Sequence, residues 1–194
     1  MVIGVVGSGN VGAKLTQLWK SAAHDVRVAG RQNCAETVRG AEVVALCVPW
    51  SAAEAAVQSC GDLGGKVVID CTNPVNERLD GLVTSGSSSA AEQIQALAPA
   101  AFVVKAFNSI GAGLLGTEVD GRAADGLFCG DSLEAKQVAA KLISAAGLRP
   151  VDVGPLRNAR YLEAMAMLWI DLAINQKHPP TFAFTVAGWQ GAAR

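Results

Sequence analysis

Length, composition and charge exclude several classes of protein before any motif is considered. The chain has 194 residues, of which 51% are hydrophobic and 17% charged, so it buries enough apolar surface to offset the entropy of ordering, and intrinsic disorder is excluded. The formal net charge is -1 and no stretch concentrates basic residues, which disfavours nucleic-acid binding. The longest uncharged apolar runs, residues 43–50 and 164–170, are far shorter than the roughly 20 residues that cross a bilayer, so we expect no membrane span.

Cysteine usage and the amino terminus indicate the compartment. The five cysteines are an odd number and form no CxxC pair, so we expect five reduced thiols and no metal site. The first six residues, MVIGVV, contain no basic leader and continue directly into a glycine motif. We therefore expect no secretory signal and a cytoplasmic location.

Strand and helix patterns alternate along the chain. Residues 2–6 are a β-branched run, residues 10–22 have helical spacing and residues 25–29 alternate, which predicts a βαβ unit. The alternation continues with predicted strands at 43–48, 66–70, 102–106, 126–129 and 149–153, and with predicted helices at about 51–60, 89–99 and 131–146. This pattern predicts an α/β fold with a doubly wound, mostly parallel sheet that helices cover on both faces.

The segment from about residue 157 to residue 175 has no partner strand and is apolar nearly all round, so it must be buried on more than one side. The sheet can cover only one side. The other cover is either the same helix of a second chain, in a homodimer, or the chain's own tail. In the homodimer, residues 178–184 would close over a substrate pocket near Asn108, and the contact would involve Met165, Met167, Leu168, Trp169 and Leu172.

A G-x-G-x-x-G motif lies between the first strand and the first helix. In this context the first glycine allows a tight turn, the second lets the backbone approach a pyrophosphate, and the third permits close packing of helix against strand. The amino terminus of the helix attracts the negative charge. The motif, which predicts dinucleotide binding, comprises Gly7, Ser8, Gly9, Asn10, Val11 and Gly12.

The residues after the second strand favour NADP over NAD. NAD sites place Asp or Glu about 20 residues beyond the motif to hold the ribose hydroxyls, whereas this chain has Gly30 and Arg31 there and no carboxylate until Glu36. A carboxylate would repel a 2′-phosphate, and a guanidinium can bind one through two hydrogen bonds. Arg31 therefore predicts NADP(H); the alternative is a surface arginine at a strand end.

Further strand ends should line the same crevice, because ligands of open α/β sheets bind outside the carboxyl ends of the strands. Val48, Pro49 and Trp50 follow the third strand, and Thr72, Asn73 and Pro74 follow the fourth. Asn73 and Asn108 offer amide groups to a ribose or a carboxamide. Either asparagine could equally form only a local Asx turn.

Several catalytic arrangements are missing from the sequence. There is no Ser/His/Asp arrangement, no pair of carboxylates at strand ends and no metal-ligand cluster, so hydrolysis and metal chemistry lack the required groups. Hydride transfer needs none of them, since it depends on positioning two carbon atoms. We therefore predict no catalytic acid or base, and expect that polar residues act by orientation.

Taken together, these motifs resemble the NADP-dependent reductases of 8-hydroxy-5-deazaflavin (coenzyme F420) and the related cytosolic domain of the six-transmembrane ferric reductases. The resemblance covers roughly residues 2–175 in order. It rests on the stretches 7–12, 29–31, 70–74, 104–110, 128–136 and 151–163, of which the string from Lys105 to Asn108 is more specific than any glycine motif.

The resemblance implies a Rossmann-type NADP-binding domain at residues 1–155, a small helical C-terminal portion at 156–194, and a homodimer. It also implies direct hydride exchange between NADP(H) and a deazaflavin co-substrate, a small-molecule electron acceptor. Together, the motifs and the resemblance give the cofactor-binding set Gly7, Ser8, Gly9, Asn10, Val11, Gly12, Gly30, Arg31, Val48, Pro49, Trp50, Thr72, Asn73, Pro74, Ala106, Asn108 and Ile110.

Two departures from the family pattern leave other functions open. Position 30 is Gly where many members have a Ser that binds the 2′-phosphate, and residues 176–194 match no recognised pattern. One alternative is an NADPH-dependent reductase of a flavin, a ferric chelate or a small carbonyl. Another is a non-catalytic NADP sensor that binds the cofactor without turnover.

Overall fold

The computed structural model describes residues 1–30, 33–84 and 86–189. The strands are β1 (Val2–Val6), β2 (Asp25–Ala29), β3 (Val43–Leu46), β4 (Val67–Asp70), β5 (Phe102–Ala106), β6 (Glu118–Val119), β7 (Arg122–Ala123), β8 (Asp125–Gly130) and β9 (Arg149–Asp152). The α-helices are α1 (Asn10–Ser21), α2 (Cys34–Arg39), α3 (Ala53–Ser59), α4 (Ala90–Leu97), α5 (Leu133–Ala145) and α6 (Ala159–Ile170). Three 3-10 turns, Trp50–Ala52, Ala112–Leu114 and Leu156–Asn158, and a π-helical turn, Asp171–Asn175, complete the regular structure.

Seven strands form one sheet in the order β2-β1-β3-β4-β5-β8-β9. Neighbouring strands are parallel except for β5 and β8, which are antiparallel. The order reverses next to β1, because β2 pairs with one edge of β1 and β3 with the other. The structure therefore confirms the doubly wound, mostly parallel α/β sheet, and it brings the carboxyl ends of β1, β3, β4 and β5 to one edge.

Helices bury both faces of the sheet, so alternate strand residues enter different cores. Ile3 and Val5 join one core with α1 and α5, whereas Val6 and Leu46 join the other with α2, α3, α4 and α6. In the first core, Trp19 is fully buried and its indole N–H donates to the carbonyl oxygen of Leu142 at 2.9 Å. This bond fixes α1 against α5 and satisfies a polar atom that burial would otherwise leave unpaired.

Most predicted elements are confirmed, with ends that differ by a few residues. The sequence analysis missed α2, which has only six residues, and the two-residue strands β6 and β7, which form a separate hairpin. These elements are too short to show an apolar period. The predicted helix at 157–175 is one continuous run made of a 3-10 turn, α6 and the π-helical turn.

Helix α6 has a buried face, a face covered by the chain's own tail, and an exposed apolar stripe. Leu162 is buried, while the indole N–H of Trp169 donates to the carbonyl of Phe182 at 2.9 Å and the two rings stack at 5.4 Å. Tyr161 and Leu168 remain 70% and 51% exposed. Phe182, in the segment that follows the helix, thus covers the Trp169 side of α6. The side that carries Tyr161 and Leu168 is exposed.

In the part of the chain that the structure describes, no helix has both the length and the apolar character needed to cross a membrane.

The first turn of α4 is tied to α6 by charge. Ser89 and Glu92 form a capping box, in which each accepts a hydrogen bond from the other's backbone N–H. The Arg160 guanidinium donates to both carboxylate oxygens of Glu92, at 2.8 and 2.6 Å. Hydrogen bonding from Arg160 holds the pKa of Glu92 below its ordinary value, against the opposing effect of burial.

We predict that Glu92→Gln destabilises the protein at neutral pH but not in acid. The amide still accepts from Ser89 but loses the ion pair with Arg160, which costs about 1 kcal/mol in this partly exposed position and lowers Tm by roughly 2–4 °C. Because the folded state lowers the pKa of Glu92, its contribution is present above the unfolded value of about 4.3 and is lost as the pH falls through the folded value. Thermal unfolding of both proteins from pH 7 to pH 3 checks this. A Tm difference that stays constant over this range would contradict it.

Candidate functional site

The glycine turn after β1 has the geometry that a dinucleotide phosphate needs. Gly7 has φ +107, and a Cβ there would lie 2.3 Å from the carbonyl oxygen of Cys47. A Cβ at Gly12 would lie 2.1 Å from the carbonyl oxygen of Gly7. A Cβ at Gly9 would meet no protein atom within 4 Å. The first and third glycines are therefore required by the fold, and the second leaves open space beside the backbone.

The amino terminus of α1 faces this open space without a protein anion to neutralise it. Ser8, Gly9 and Asn10 are exposed. The N-cap residue, Gly9, offers no side-chain acceptor, and the first turn has no acidic residue. The first backbone N–H groups of this 12-residue helix are thus left for an anion, which the helix dipole also attracts.

Asn73 and Asn108, which follow β4 and β5, hold each other at the same edge of the sheet. The Asn73 side-chain amide donates to the backbone carbonyl of Asn108 at 2.9 Å. Nδ2 of Asn108 donates to Oδ1 of Asn73 at 3.1 Å and to the carbonyl of Leu162 at 3.0 Å. Both amide hydrogens of Asn108 are used, so the side chain is fixed in one orientation.

Two buried oxygens at this edge have no hydrogen-bond partner among the described residues, namely Oδ1 of Asn108 and Oγ1 of Thr72. The two residues are only 5% and 1% exposed. Buried polar atoms in folded proteins are almost always paired, and an unpaired one needs an explanation. The two oxygens are therefore candidate hydrogen-bond acceptors for a polar ligand.

The backbone between β5 and Asn108 is strained. Phe107 is a buried, non-glycine residue with φ +62, in the left-handed region that costs a side chain about 1–3 kcal/mol. Its ring packs edge-on against Trp19 at a centroid distance of 5.9 Å. Packing in the core thus holds the strained turn that directs Asn108 toward Asn73.

A fully buried lysine connects this edge to the rest of the fold. The Lys105 Nζ lies 2.8 Å from Oδ2 of Asp70 and 3.0 Å from Oε1 of Glu163, and it donates to the carbonyl oxygen of Thr72 at 2.6 Å. Oδ1 of Asp70 accepts from the backbone N–H of Thr72 at 2.9 Å. Lys105 and Asp70 therefore fix the backbone of residue 72 from both of its polar atoms.

The same ion network reaches two helices. Glu163 lies on α6, and its Oε2 accepts from the backbone N–H of Ala90 at the start of α4, at 3.0 Å. Burial would lower the pKa of Lys105, but the charges of Asp70 and Glu163 outweigh it and raise that pKa above its usual value. Burial raises the pKa of Glu163 despite the neighbouring ammonium. The two carboxylates and the Thr72 carbonyl thus surround the Lys105 ammonium and favour its charged form.

A cavity of about 800 Å³ opens beside the strand ends. Its walls combine flat or apolar side chains with polar and charged groups, and Ile170 of α6 contributes to them. The lining includes Val48, Pro49, Trp50, Ser51, Cys71, Thr72, Asn73, Val75, Asn76, Glu77, Arg78, Val83 and Ile170.

The structure brings most of the predicted site residues to one edge, but in different ways. Val48, Pro49, Trp50, Thr72 and Asn73 line the cavity. The exposed positions of the glycine turn lie at the end of the neighbouring strand β1. Gly30 directly follows β2, and its N–H donates to Oδ1 of Asn33 at 2.8 Å. The side chains of Pro74, Ala106 and Ile110 are buried. Arg31 lies outside the described residues.

Sequence reasoning missed the ion network, and in particular the role of Glu163. Asp70, at the end of β4, and Glu163, on α6, flank the same ammonium group. The sequence feature that could have revealed this network is a single Asp and a single Lys within the otherwise apolar strands 67–70 and 102–106. Glu163 gave no local signal, because it reaches the site only through the packing of α6.

Fold and site together define a dinucleotide-binding oxidoreductase with a doubly wound sheet. The family model described as "NADP oxidoreductase coenzyme F420-dependent" matches residues 31–74. F420-dependent NADP reductase of Methanothermobacter marburgensis is 34% identical over 162 residues, which are 79% of this chain and 71% of that protein. The chain therefore belongs to the family of F420-dependent NADP reductases, as its motifs indicated.

Two further relatives bear on the fold and on the choice of substrate. The crystal structure of a candidate F420-dependent NADP-reductase from Arthrobacter sp. FB24 superposes with a TM-score of 0.85 at 27% identity, covering 96% of this chain and 99% of that one. Metalloreductase STEAP3 of Rattus norvegicus is 35% identical over 133 residues, which are 68% of this chain. The match spans only 26% of that protein's length.

We predict that alanine at two positions of the glycine turn separates binding from folding. Gly9→Ala should leave Tm within about 1 °C of the wild type, because its Cβ meets no protein atom, yet weaken NADP⁺ binding by at least ~10-fold, because the methyl group occupies the phosphate approach. Gly12→Ala should lower Tm by several degrees, since the added carbon clashes with the Gly7 carbonyl. Calorimetric titration and thermal unfolding measure both effects. Wild-type NADP⁺ affinity in Gly9→Ala would contradict the site.

Proposed function

We propose that the protein transfers a hydride between NADP(H) and a deazaflavin coenzyme of the F420 type. One observation carries this proposal: groups along one sheet edge have no protein partner among the described residues. They extend from the open turn at Gly9 to the unpaired buried oxygens of Thr72 and Asn108. Family membership adds the reaction class. The set of groups fits a dinucleotide, with an anion site at one end and paired polar acceptors and donors at the other.

Each part of the edge has a distinct task in this proposal. The backbone of residues 8–10 and the amino terminus of α1 bind the pyrophosphate, and Arg31 binds the 2′-phosphate. Thr72 and Asn108 bind the ribose or the carboxamide of the nicotinamide half. When bound, the nicotinamide ring supplies or accepts the hydride.

The protein contributes orientation and exclusion of water, not proton transfer. Lys105 and Asp70 immobilise the backbone of Thr72, and Asn73 and Leu162 immobilise the amide of Asn108. Fixing a donor and an acceptor carbon at contact distance lowers the barrier by several kcal/mol through orientation alone. We therefore propose that no side chain acts as an acid or a base in the hydride step.

The acceptor binds in the cavity beside the nicotinamide end. Trp50, Val75, Val83 and Ile170 give it flat and apolar walls, which suit an extended ring system and displace water from it. The cavity volume of about 800 Å³ is large enough for a tricyclic ring. In this arrangement residues 1–155 bind NADP(H), and residues 156–194 supply Ile170 and complete the acceptor side.

A reductase of ferric chelates or flavins is the second candidate. The match to Metalloreductase STEAP3 favours it, since that protein is named for metal reduction and shares 35% identity with this chain over 133 residues. The cavity walls alone suit a flavin as well as a deazaflavin. The choice between the two candidates therefore depends on the electron acceptor.

Turnover with a panel of acceptors tests the proposal. NADPH oxidation is followed at 340 nm with oxidised F420, riboflavin, FMN and a ferric chelate, each supplied at equal concentration. We expect the highest kcat/KM with F420. Fastest turnover with a flavin or a ferric chelate would favour the second candidate, and NADPH binding without turnover on any acceptor would indicate a sensor.

We predict that Arg31→Ala selectively weakens NADPH binding. A charge-assisted hydrogen bond contributes about 1.5–3 kcal/mol, so the variant should lose roughly 10–150-fold in NADPH affinity while NADH affinity changes little. Arg27→Ala is the matched control, because Arg27 is an exposed arginine on β2 whose guanidinium pairs with Asp25. Fluorescence titration of both cofactors measures the effect. Equal losses for NADPH and NADH would remove the assignment of Arg31.

We also propose a cytoplasmic homodimer that buries the exposed stripe of α6. Leu168→Glu should weaken dimerisation by at least ~10-fold, since it places a charge in an apolar contact. Leu133→Glu is the control, because Leu133 is 61% exposed on α5, outside the stripe. Sedimentation equilibrium at micromolar concentration measures the mass. A wild-type species near 19.9 kDa, or dissociation of the Leu133→Glu control, would contradict this interface.

A further inference from the structure

Two buried cysteines that are distant in sequence lie next to each other between α2 and α3. Cys34 is the first residue of α2, and Cys60 follows directly after α3. Their sulfur atoms lie 2.6 Å apart, and the two residues are 3% and 2% exposed. Neither residue belongs to the proposed cofactor or acceptor site.

This separation places the two thiols within reach of a covalent bond. A disulfide bond is about 2.05 Å long, so the sulfur atoms need to approach by only about half an ångström. The pair connects two short helices on the same face of the sheet, where Cys34, Val38, Val57 and Cys60 share one core. The packing of α2 against α3 therefore already supplies the proximity that disulfide formation requires.

One of the two cysteines has a route from solvent. Cys60 lines a surface cavity of about 340 Å³, together with Ala35, Arg39, Gly61, Asp62, Gly64 and Lys66. Cys34 does not line this cavity. A small reagent therefore meets Cys60 first, and Cys34 lies behind it.

We propose that Cys34 and Cys60 form a reversible disulfide, with a low-molecular-weight disulfide as the oxidant. The thiolate of Cys60 attacks one sulfur of the reagent RSSR, and the first RS⁻ leaves with the proton that Cys60 gave up. The thiolate of Cys34 then attacks the Cys60 sulfur, and the second RS⁻ leaves with the proton from Cys34. Two protein thiols are oxidised, one RSSR is reduced and two RSH are released.

The rate should be set by local opening of the protein. Burial, and secondarily the neighbouring Cys34, raises the pKa of Cys60, which keeps the thiol protonated at neutral pH and slows attack. Helix α2 has only six residues, so it can open locally without global unfolding. The disulfide therefore forms slowly in the native protein, and dithiothreitol reverses it.

The other cysteines provide internal controls. Cys71 hydrogen-bonds the thiol of Cys47 and lines the cavity of about 800 Å³ beside the strand ends. Cys129 is buried alone, and its thiol donates to the carbonyl of Leu156 at 3.7 Å. Neither Cys71 nor Cys129 lines the cavity that reaches Cys60.

Oxidation of the full chain with oxidised glutathione, followed by alkylation and peptide mass spectrometry, tests the proposal. Digestion with trypsin and a glutamate-specific protease separates Cys47 from Cys60, because Glu54 lies between them. We expect one cross-linked peptide pair containing Cys34 and Cys60. We also expect a Tm rise of roughly 5–10 °C, since the bond closes a loop of 26 residues, and its reversal by dithiothreitol.

Variants make the result decisive. Cys34→Ser should accumulate a glutathione adduct at Cys60, Cys60→Ser should give neither adduct nor cross-link at Cys34, and Cys129→Ser should behave as the wild type. Both thiols alkylated after oxidation of the native wild type, or a cross-link that forms only in urea, would overturn the proposal. A cross-link between Cys47 and Cys71 that forms in preference to the one between Cys34 and Cys60 would also overturn it. These readouts require no NADP(H), so they stand apart from the proposed function.

Discussion

The buried ammonium of Lys105 is the constraint on which the cofactor edge depends. Taking a charge out of water costs several kcal/mol unless partners surround it. Here Asp70, Glu163 and the Thr72 carbonyl provide those partners, from β4, α6 and the turn after β4. In this packing of the three elements, each of the buried charges of Asp70, Lys105 and Glu163 has a partner of opposite sign.

That arrangement fixes the backbone of Thr72 and the side chain of Asn108. Asp70 and Lys105 hold the backbone of Thr72, while α6, anchored by Glu163, presents the Leu162 carbonyl to Asn108. Oγ1 of Thr72 and Oδ1 of Asn108 remain without a hydrogen-bond partner among the described residues. Buried ion pairs add little net stability, but they can specify a single geometry, and hydride transfer depends on geometry more than on acid or base strength.

The local parts of this account could be predicted from the sequence, and the long-range parts could not. The glycine turn is a local motif whose spacing prescribes its conformation, so Gly7 and Gly12 have the expected roles. The strands follow from runs of β-branched residues. In contrast, the pairing of Lys105 with Glu163 and the contact of Trp169 with Phe182 arise from packing between distant segments. The sequence pattern of 157–175 showed that the helix needs cover, but not that the tail covers the Trp169 side.

The central claim is that NADP(H) lies along the edge formed by β1, β4 and β5 and pairs with Thr72 and Asn108. A crystal structure of the protein with NADP⁺ tests it most directly. We expect the pyrophosphate at the amino terminus of α1, beside Gly9. We also expect ligand oxygen or nitrogen atoms within hydrogen-bond distance of Oγ1 of Thr72 and Oδ1 of Asn108. The ion network of Lys105 should be unchanged. A cofactor bound elsewhere, or bound while both oxygens stay unpaired, would contradict it.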